Sequence, residues 1–258
     1  MTRFDTITAH PLARKDFVLA TDLDGTFLGG TDAARARCYD WINRSRGQVG
    51  LIFVTGRDPE FISELTLEHG VPRPDFVIGD VGTTIAEMGE DHSISPITAL
   101  EAQIASAWGD ATEKVKAALA DVAGLRLQPT NFRYRLSYDM DPATFDDRAF
   151  EIVAALGLDA LASDNRFFDV LPKGISKGPS LLRLLDYLGI AEDRTLAAGD
   201  TLNDLSMLTV GVPAVAVGGS EQPLLDAIEG HTNVHVAKGV GVDGIAEAIR
   251  HHNLLPQS

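Results

Sequence analysis

Six short apolar runs constrain the fold of this chain more than any other feature. The runs are 17–21, 51–54, 76–78, 195–198, 214–217 and 234–236. All but the last end against a glycine, aspartate or threonine, and longer stretches of helical spacing separate many of them. This alternation is typical of a parallel sheet with crossover helices, so the sequence predicts an α/β fold.

Two of the helical stretches carry clear end signals. Asp58 and Pro59 predict a helix start with an aspartate cap and a proline in the first turn, and Gly70 ends that helix. An apolar stripe of five leucines predicts a second helix that stops at Gly189. The leucines are Leu181, Leu182, Leu184, Leu185 and Leu188.

The middle of the chain has a different texture. It holds a long helical stretch at 99–123, a strand-like run at 131–138 and a second helix near 145–156, without βαβ alternation. Such an order suggests an inserted α+β module. We therefore predict a first core segment at 1–83, an inserted domain at 84–166 and a second core segment at 167–258.

Charge and cysteine content limit the classes of function. The net charge of -15 repels polyanions, so neither nucleic acid nor an anionic membrane is an expected partner. An anionic substrate would need a local cluster of donors and a metal ion. The single Cys38 excludes an intrachain disulfide, and the first sixteen residues do not resemble a signal peptide, so we expect a cytoplasmic protein in which this thiol is structural.

Two aspartates follow the first apolar run directly. In an extended chain Asp22 and Asp24 point to the same side, and the carboxyl ends of parallel strands form the edge where ligands bind. Two carboxylates so close require a cation or a shared proton. Gly25 and Thr26 would turn the backbone so that its N–H groups face an anion. The same residues could form an ordinary turn, so the pair needs support from elsewhere.

Three further segments supply that support. Thr55 and Gly56 follow the second run and offer a hydroxyl and a tight turn to a phosphate oxygen, although Thr55 could be a helix cap. Lys177 precedes the leucine-striped helix, where its ammonium and the helix start could hold an anion together, although a solitary lysine there is usually solvated surface. Asp200 and Asp204 follow the fourth run and raise the carboxylates to four, a donor set that suits magnesium.

In order and spacing, these segments resemble the four motifs of haloacid dehalogenase-type phosphatases. The matching residues are Asp22-Leu23-Asp24-Gly25-Thr26, Thr55, Lys177, and Gly199-Asp200 with Asn203-Asp204. The resemblance implies an α/β fold with a Rossmann-like, doubly wound parallel sheet as its core and an inserted α+β cap domain. It also implies that Asp22 attacks phosphorus to form an aspartyl-phosphate, while Asp24 acts as acid and base.

The resemblance further implies the remaining roles in the core. Thr55 and Lys177 would neutralise the transferring phosphoryl group, and Asn203 would position Lys177 or the phosphate. The implied phosphate-binding residues are Asp22, Gly25, Thr55, Gly56, Lys177 and Asn203. The implied Mg²⁺ ligands are Asp22, the backbone carbonyl of Asp24, Asp200 and Asp204, the last directly or through water.

Within these enzymes the chain is similar to the sucrose-phosphate phosphatase group, which includes mannosylfructose-phosphate phosphatase. Segments 74–83 and 169–172 carry that similarity. It implies hydrolysis of a glycosyl or disaccharide phosphate, such as sucrose phosphate or mannosylfructose phosphate. The cap residues expected to face the sugar are Gln128, Asn131, Arg133, Arg135 and Ser137. Strand alternation predicts that the last four share one face, which could also be a solvated face.

Other functions remain open at this point. Hexose phosphates, phosphoglycerate derivatives or pyridoxal phosphate could replace the glycosyl phosphate as substrate. A phosphomutase would need a cap that holds a bisphosphate intermediate while it reorients. The complete set of motif residues argues against a binding module that has lost turnover, and a receiver-like domain would be about half as long and would lack the insertion.

Overall fold

The computed structural model describes residues 10–130 and 132–255. The strands in these ranges are β1 (Phe17–Thr21), β2 (Val49–Val54), β3 (Phe76–Gly79), β4 (Thr84–Met88), β5 (Ile94–Pro96), β6 (Leu125–Leu127), β7 (Leu136–Met140), β8 (Asp159–Ser163), β9 (Phe167–Leu171), β10 (Thr195–Gly199), β11 (Ala214–Gly218) and β12 (Val234–Val240). The helices are α1 (Asp32–Arg44), α2 (Pro59–Glu68), α3 (Thr98–Trp108), α4 (Ala111–Leu119), α5 (Arg148–Ala155), α6 (Lys177–Leu188), α7 (Leu205–Leu208), α8 (Gln222–Ala227) and α9 (Val242–His251).

The larger sheet has the order β12-β11-β10-β1-β2-β3-β4-β5. From β12 to β3 all neighbours are parallel, whereas β4 and β5 add antiparallel strands at one end. The chain starts at β1, builds outward to β5, and later continues on the other side of β1 with β10. The strand order therefore reverses between β1 and β10, which confirms the predicted doubly wound arrangement.

The six predicted strands are all present in this sheet. β2 begins earlier than predicted, at Val49, and β12 continues to Val240. Successive side chains enter opposite faces of the sheet: Val18 and Ala20 pack in one apolar cluster with α6, and Phe17 and Leu19 pack in another with α9. Helices thus cover both faces, as buried parallel strands require.

The smaller sheet has the order β6-β7-β9-β8 and is antiparallel throughout. It packs with α4 and α5 around a third apolar cluster, and we call this unit, residues 111–171, the cap. Helix α3 leads into it, because Leu100 and Ile104 pack in the core while Trp108 belongs to the cap cluster.

The division of the chain between the two sheets does not follow the predicted boundaries at 84 and 166. β4 and β5, placed by the sequence in the inserted domain, pair with the larger sheet because β4 folds back on β3 as an antiparallel neighbour. β9, placed in the second core segment, lies in the cap sheet between β7 and β8. In both cases the sequence texture changes before the chain leaves the sheet, since β5 ends at Pro96 and β9 at Leu171.

Several predicted cap elements also differ in detail. The helical stretch 99–123 is two helices, because Gly109 breaks it with φ +57 and ψ -125. The strand predicted at 131–138 begins only at Leu136, after bends at Arg133 and Tyr134. Asn131 lies outside the described residues. In the core, α2 and α6 follow their predicted signals, and Gly189 ends α6 in the left-handed region.

In the two described ranges, none of the helices is both long and apolar enough to cross a membrane.

Candidate active site

The site lies where the strand order of the larger sheet reverses. β1 and β10 are neighbours there, and Asp22 and Asp200 are the residues that follow them at their carboxyl ends. The Asp22 N–H donates to the carbonyl of Ala198 at 2.9 Å, which extends the pairing to the edge of the sheet. Two segments remote in sequence therefore place their carboxylates side by side, at the kind of crevice where open α/β sheets bind ligands.

A cavity of about 660 Å³ opens at this edge, between core and cap. Such a volume suits a small-molecule ligand. Its core residues are Asp22, Asp24, Gly25, Thr55, Gly56, Arg57, Asp58, Val81, Asp200, Thr201 and Asn203. Its cap residues are Gln128, Thr130, Phe132, Arg135, Ser137, Ser163, Asp164, Arg166, Phe167 and Asp169. Most of the predicted site residues thus share one cavity.

Lys177 lies behind that cavity rather than on its surface. It is the first residue of α6 and is fully buried. Its Nζ donates to Asp22 Oδ1 at 2.7 Å, to Asn203 Oδ1 at 2.7 Å and to Asp204 Oδ1 at 2.6 Å. Because an ammonium has three donors, these contacts use all of them. Lys177 therefore orients Asp22 directly and holds the Asn203–Asp204 segment beside it.

Asp204 is fully buried and has both carboxylate oxygens engaged. Oδ1 accepts from Lys177, while Oδ2 accepts from the backbone N–H groups of Asp200 and Thr201, each at 3.0 Å. A Cβ on Gly199 would lie 2.5 Å from Asp204 Cβ, so only glycine fits there. This geometry makes Asp204 a support of the loop and leaves Asp22 and Asp200 as the more available carboxylates.

Asp200 is held against the turn that follows β1. Its Oδ1 accepts from Thr26 Oγ1 at 2.6 Å. Gly25 adopts φ +77, and a Cβ at this position would approach Asp200 Oδ2 to 2.2 Å. The glycine is thus required both by the backbone conformation and by the close approach of the carboxylate.

The three carboxylates form a cluster of the kind that binds a metal. One oxygen each from Asp22, Asp200 and Asp204 lies within 4.8 Å of the others. Burial raises the pKa of Asp22 well above its usual value and that of Asp200 to about 7. Burial alone would lower the pKa of Lys177, but Asp204 and Asp22 raise it. One ammonium leaves an excess of negative charge, which a divalent cation would neutralise.

Asp24 also lines the cavity, but its carboxylate is paired with an arginine that the sequence argument did not assign. Arg57 Nε and Nη2 donate to Asp24 Oδ2 and Oδ1 at 2.8 and 3.0 Å, a bidentate pair. Thr55 Oγ1 accepts from the Arg57 N–H at 3.2 Å, so this hydroxyl stabilises its own turn as well as facing the cavity. The position of Arg57 directly after Thr55-Gly56 was the available signal.

The structure separates the predicted cap residues. Gln128, Arg135 and Ser137 line the cavity. Arg133 is not among the lining residues: it forms an ion pair with Glu101 and donates to Thr84 Oγ1 at 3.3 Å. The predicted common face of Arg133 with Arg135 and Ser137 is therefore wrong, because the bends before β7 remove the two-residue alternation.

Asp169 is the main cap residue that the sequence argument missed as a site residue. It is buried on β9 and accepts from Ser137 Oγ and from Arg135 Nη1, the latter at 3.3 Å. Burial raises its pKa, against the lowering effect of Arg135. Two aromatic rings, Phe132 and Phe167, add apolar surface to the same wall. The sequence signal that could have identified Asp169 was its position in the segment that precedes Lys177.

Comparison with known proteins gives a consistent family. The model of the family described as sucrose-6F-phosphate phosphohydrolase matches residues 15–253. A glucosylglycerol-phosphate synthase from Pseudomonas anguilliseptica is 40% identical over 240 residues, which cover 92% of this chain but only 31% of that protein. Mannosylfructose-phosphate phosphatase from Agrobacterium fabrum is 29% identical over 252 residues, covering 93% of this chain and 98% of the phosphatase.

Among solved structures, the sucrose-phosphatase of Synechocystis has the same fold, with a TM-score of 0.86 and 24% identity over 94% of this chain and 100% of that one. The family match extends over core and cap together and includes Asp22, Lys177 and Asp200. The chain therefore belongs to the sucrose-6F-phosphate phosphohydrolase family of sugar-phosphate phosphatases, within the haloacid dehalogenase-like superfamily.

Proposed function

We propose that this protein is a Mg²⁺-dependent phosphatase that hydrolyses the phosphate ester of a small glycoside, in which a glycosyl group is joined to a phosphorylated acceptor. The observation that carries the proposal is the carboxylate of Asp22, held by the buried Lys177 at a cavity that the cap shares. Two relatives are named for phosphates of such glycosides: mannosylfructose-phosphate phosphatase and glucosylglycerol-phosphate synthase.

Asp22 is the nucleophile in this proposal. Because Lys177 donates to Oδ1, the other oxygen, Oδ2, attacks phosphorus. The bond between phosphorus and the ester oxygen breaks, and Asp24 gives that oxygen a proton as the alcohol leaves. Asp24 then takes a proton from water as the water attacks the aspartyl-phosphate, which releases orthophosphate and restores the Asp22 carboxylate.

Arg57 sets the direction of Asp24 during these steps through its bidentate pair. Thr55, Gly56 and Gly25 line the cavity beside Asp22 and would donate to the phosphate oxygens. Asn203 is within reach of both the cavity and Lys177, so it would fix the ammonium while facing the phosphate.

The donor set fits Mg²⁺, which takes carboxylate oxygens and retains several waters. Asp22, Asp200 and the backbone carbonyl of Asp24 would hold the ion, and Asp204 would act through its contacts with the Asp200 backbone. When bound, the ion supplies positive charge that lets an anionic nucleophile approach an anionic ester.

The cap would select the glycoside. Gln128, Arg135 and Ser137 offer donors toward hydroxyl groups, and the rings of Phe132 and Phe167 offer apolar faces. The substrate order that we propose places glucosylglycerol phosphate with mannosylfructose phosphate and sucrose phosphate, ahead of hexose phosphates, phosphoglycerate derivatives and pyridoxal phosphate. We also propose a cytoplasmic location, in accord with the single cysteine.

A steady-state screen of these phosphate esters with Mg²⁺ tests the proposal. We expect kcat/KM for one of the three glycoside phosphates to exceed that for glucose 6-phosphate by at least about a hundredfold, which corresponds to about 2.7 kcal/mol of transition-state discrimination. Asp22→Asn should abolish phosphate release while the protein remains folded. Turnover by Asp22→Asn near that of the wild type would refute the nucleophile, and equal kcat/KM for all esters would refute the substrate class.

A further inference from the structure

The turn between β3 and β4 holds two consecutive non-glycine residues in the left-handed region. Asp80 has φ +53 and Val81 has φ +58, and Gly82 follows with φ +102. A β-branched residue rarely adopts such a conformation, which costs about 1–3 kcal/mol at each strained position. Strain of this kind persists only where the surrounding structure fixes the backbone, so the contacts of the turn are informative.

On the core side, the turn joins the two parts of the phosphate site. The N–H of Asp80 donates to the carbonyl of Arg57 at 3.0 Å, and the N–H of Val81 donates to that of Thr55 at 3.1 Å. Gly82 packs on the backbone of Ser176, the residue just before α6. A Cβ on Gly82 would lie 2.4 Å from the Ser176 carbonyl carbon. The turn therefore positions the 55–57 loop relative to the helix that carries Lys177.

On the cap side, Arg135 reaches down onto the same loop. Its Nη2 donates to the carbonyl of Gly56 at 3.1 Å and lies 3.7 Å from Asp80 Oδ1, and its Nη1 donates to Asp169 Oδ1 at 3.3 Å. The ring of Phe132 lies 3.6 Å from the guanidinium carbon. The Arg135 side chain is 6% exposed, so this is a buried contact between the cap and the loops of the core.

The arrangement is not the one that stability alone would favour. One guanidinium serves two buried carboxylates, those of Asp80 and Asp169. Among the described residues, Arg135 Nε and Asp80 Oδ1 are two of seven buried side-chain N or O atoms without a hydrogen-bond partner. Each such atom is costly. What sets these two apart is that both belong to one contact, which joins the cap to the 55–57 loop.

We propose that Arg135, Asp80 and the Gly56 carbonyl form a latch through which the seated cap fixes the 55–57 loop in the geometry that the phosphate requires. Arg135 is then a positioning residue for phosphoryl transfer as well as part of the cavity wall. This inference rests on the proposed phosphatase function. It adds that the position of the cap on the core and the geometry of the 55–57 loop are coupled.

The latch differs measurably from a direct contact between Arg135 and the sugar. If Arg135 only bound sugar hydroxyls, its loss would raise KM for the glycoside phosphate and leave kcat, and the inhibition constant for orthophosphate, unchanged. A latch instead affects the phosphate itself. Loss of Arg135 should lower kcat by about 10- to 100-fold, the scale of a misplacement near 1 Å, and should weaken orthophosphate inhibition.

Asp80 provides the decisive second variant, because it is not among the residues that line the cavity. We expect Asp80→Asn and Arg135→Met to lower kcat and orthophosphate affinity alike, with p-nitrophenyl phosphate as well as with the best glycoside phosphate. The double variant should be no worse than the more damaged single one, since residues of one unit are non-additive. Arg135→Lys should restore part of kcat.

Arg46→Met is the matched control, since Arg46 is a partly buried arginine paired with Asp75 at 3.1 Å, away from the cavity. It should lower the Tm without changing kcat. If the wild type hydrolyses no ester, the proposed function fails and not merely the latch. If the wild type is active, unchanged kcat and orthophosphate inhibition in Asp80→Asn, or effects that add in the double variant, would overturn the latch.

Discussion

Lys177 is surrounded by three side-chain oxygens and has no exposed surface. Its single positive charge compensates only part of the charge of its two carboxylate partners, Asp22 and Asp204, and each of these relies on it in turn. Removal of one member of a buried ion cluster leaves charges without compensation, which commonly costs 3–5 kcal/mol. We therefore expect a substitution of this one residue to lower both the stability and the activity of the protein.

We predict that Lys177→Met lowers the free energy of unfolding by about 3–5 kcal/mol and abolishes phosphate release, because Asp22 and Asp204 lose their common donor. Lys173→Met is the control: its ammonium pairs with Asp159 at 2.7 Å in an exposed position, where a pair contributes about 0–1 kcal/mol. Urea denaturation of both variants measures the difference. Equal unfolding free energies in the two variants would contradict the buried cluster.

Cys38 is half-buried against the cluster on the α9 face, in agreement with a structural role. Burial, with a smaller effect of Asp243, raises the pKa of its thiol to about 12. The thiol therefore stays protonated until pH approaches that value, and the thiolate that reacts is scarce at pH 8. We predict alkylation by iodoacetamide at least about a hundredfold slower in the native protein than in urea. Similar rates in both states, followed by mass spectrometry, would be evidence against this burial.

At the scale of elements, the junction of α3 and α4 depends on one glycine. Gly109 has φ +57 and ψ -125, a combination open to glycine alone, and its Cβ position is free of neighbours within 4 Å. We predict that Gly109→Ala lowers the Tm, with a loss of about 1–3 kcal/mol from backbone strain and none from a clash.

Gly47→Ala is the matched control for that prediction. Gly47 also has open space at its Cβ position, but its φ is not positive. The alanine should change the free energy of unfolding there by less than about 0.5 kcal/mol. A Gly109→Ala protein as stable as Gly47→Ala would mean that the break between the helices is not set by this conformation.

The same elements show which features a sequence can reveal. β1 and β3 were predictable because strands buried on both faces are short apolar runs bounded by turn residues, and the motif residues follow from their ends. The pairing of β4 with β3 depends on a strained turn at Asp80 and Val81, for which these residue types give no signal. The contact of Arg135 with Gly56 joins cap to core across a long sequence separation, and only the folded chain shows it.

At the scale of the whole molecule, the site exists because two distant parts of the chain meet. Asp22 comes from before the cap insertion and Asp200 from after it, and both follow strands that are neighbours in the centre of the sheet. The overall charge of -15 opposes an anionic substrate, so the positive charge must be local. Lys177 is already occupied by carboxylates, which leaves the proposed metal ion and the arginines of the cavity for that role.

Because the proposed metal site needs both parts of the chain, we predict that Mg²⁺ stabilises the entire fold. A ligand that binds only the native state adds RT ln(1 + [L]/Kd), about 2.7 kcal/mol at a hundred times Kd, because unfolding separates Asp22 from Asp200 and destroys the site. Protein treated with EDTA should therefore gain Tm as Mg²⁺ is added. Asp200→Asn should lose that gain, whereas Asp186→Asn, the same change at an exposed position on α6, should keep it. A rise in Tm that is equal in the two variants would place the ion elsewhere, and no rise in the wild type would remove the support for a metal at this cluster.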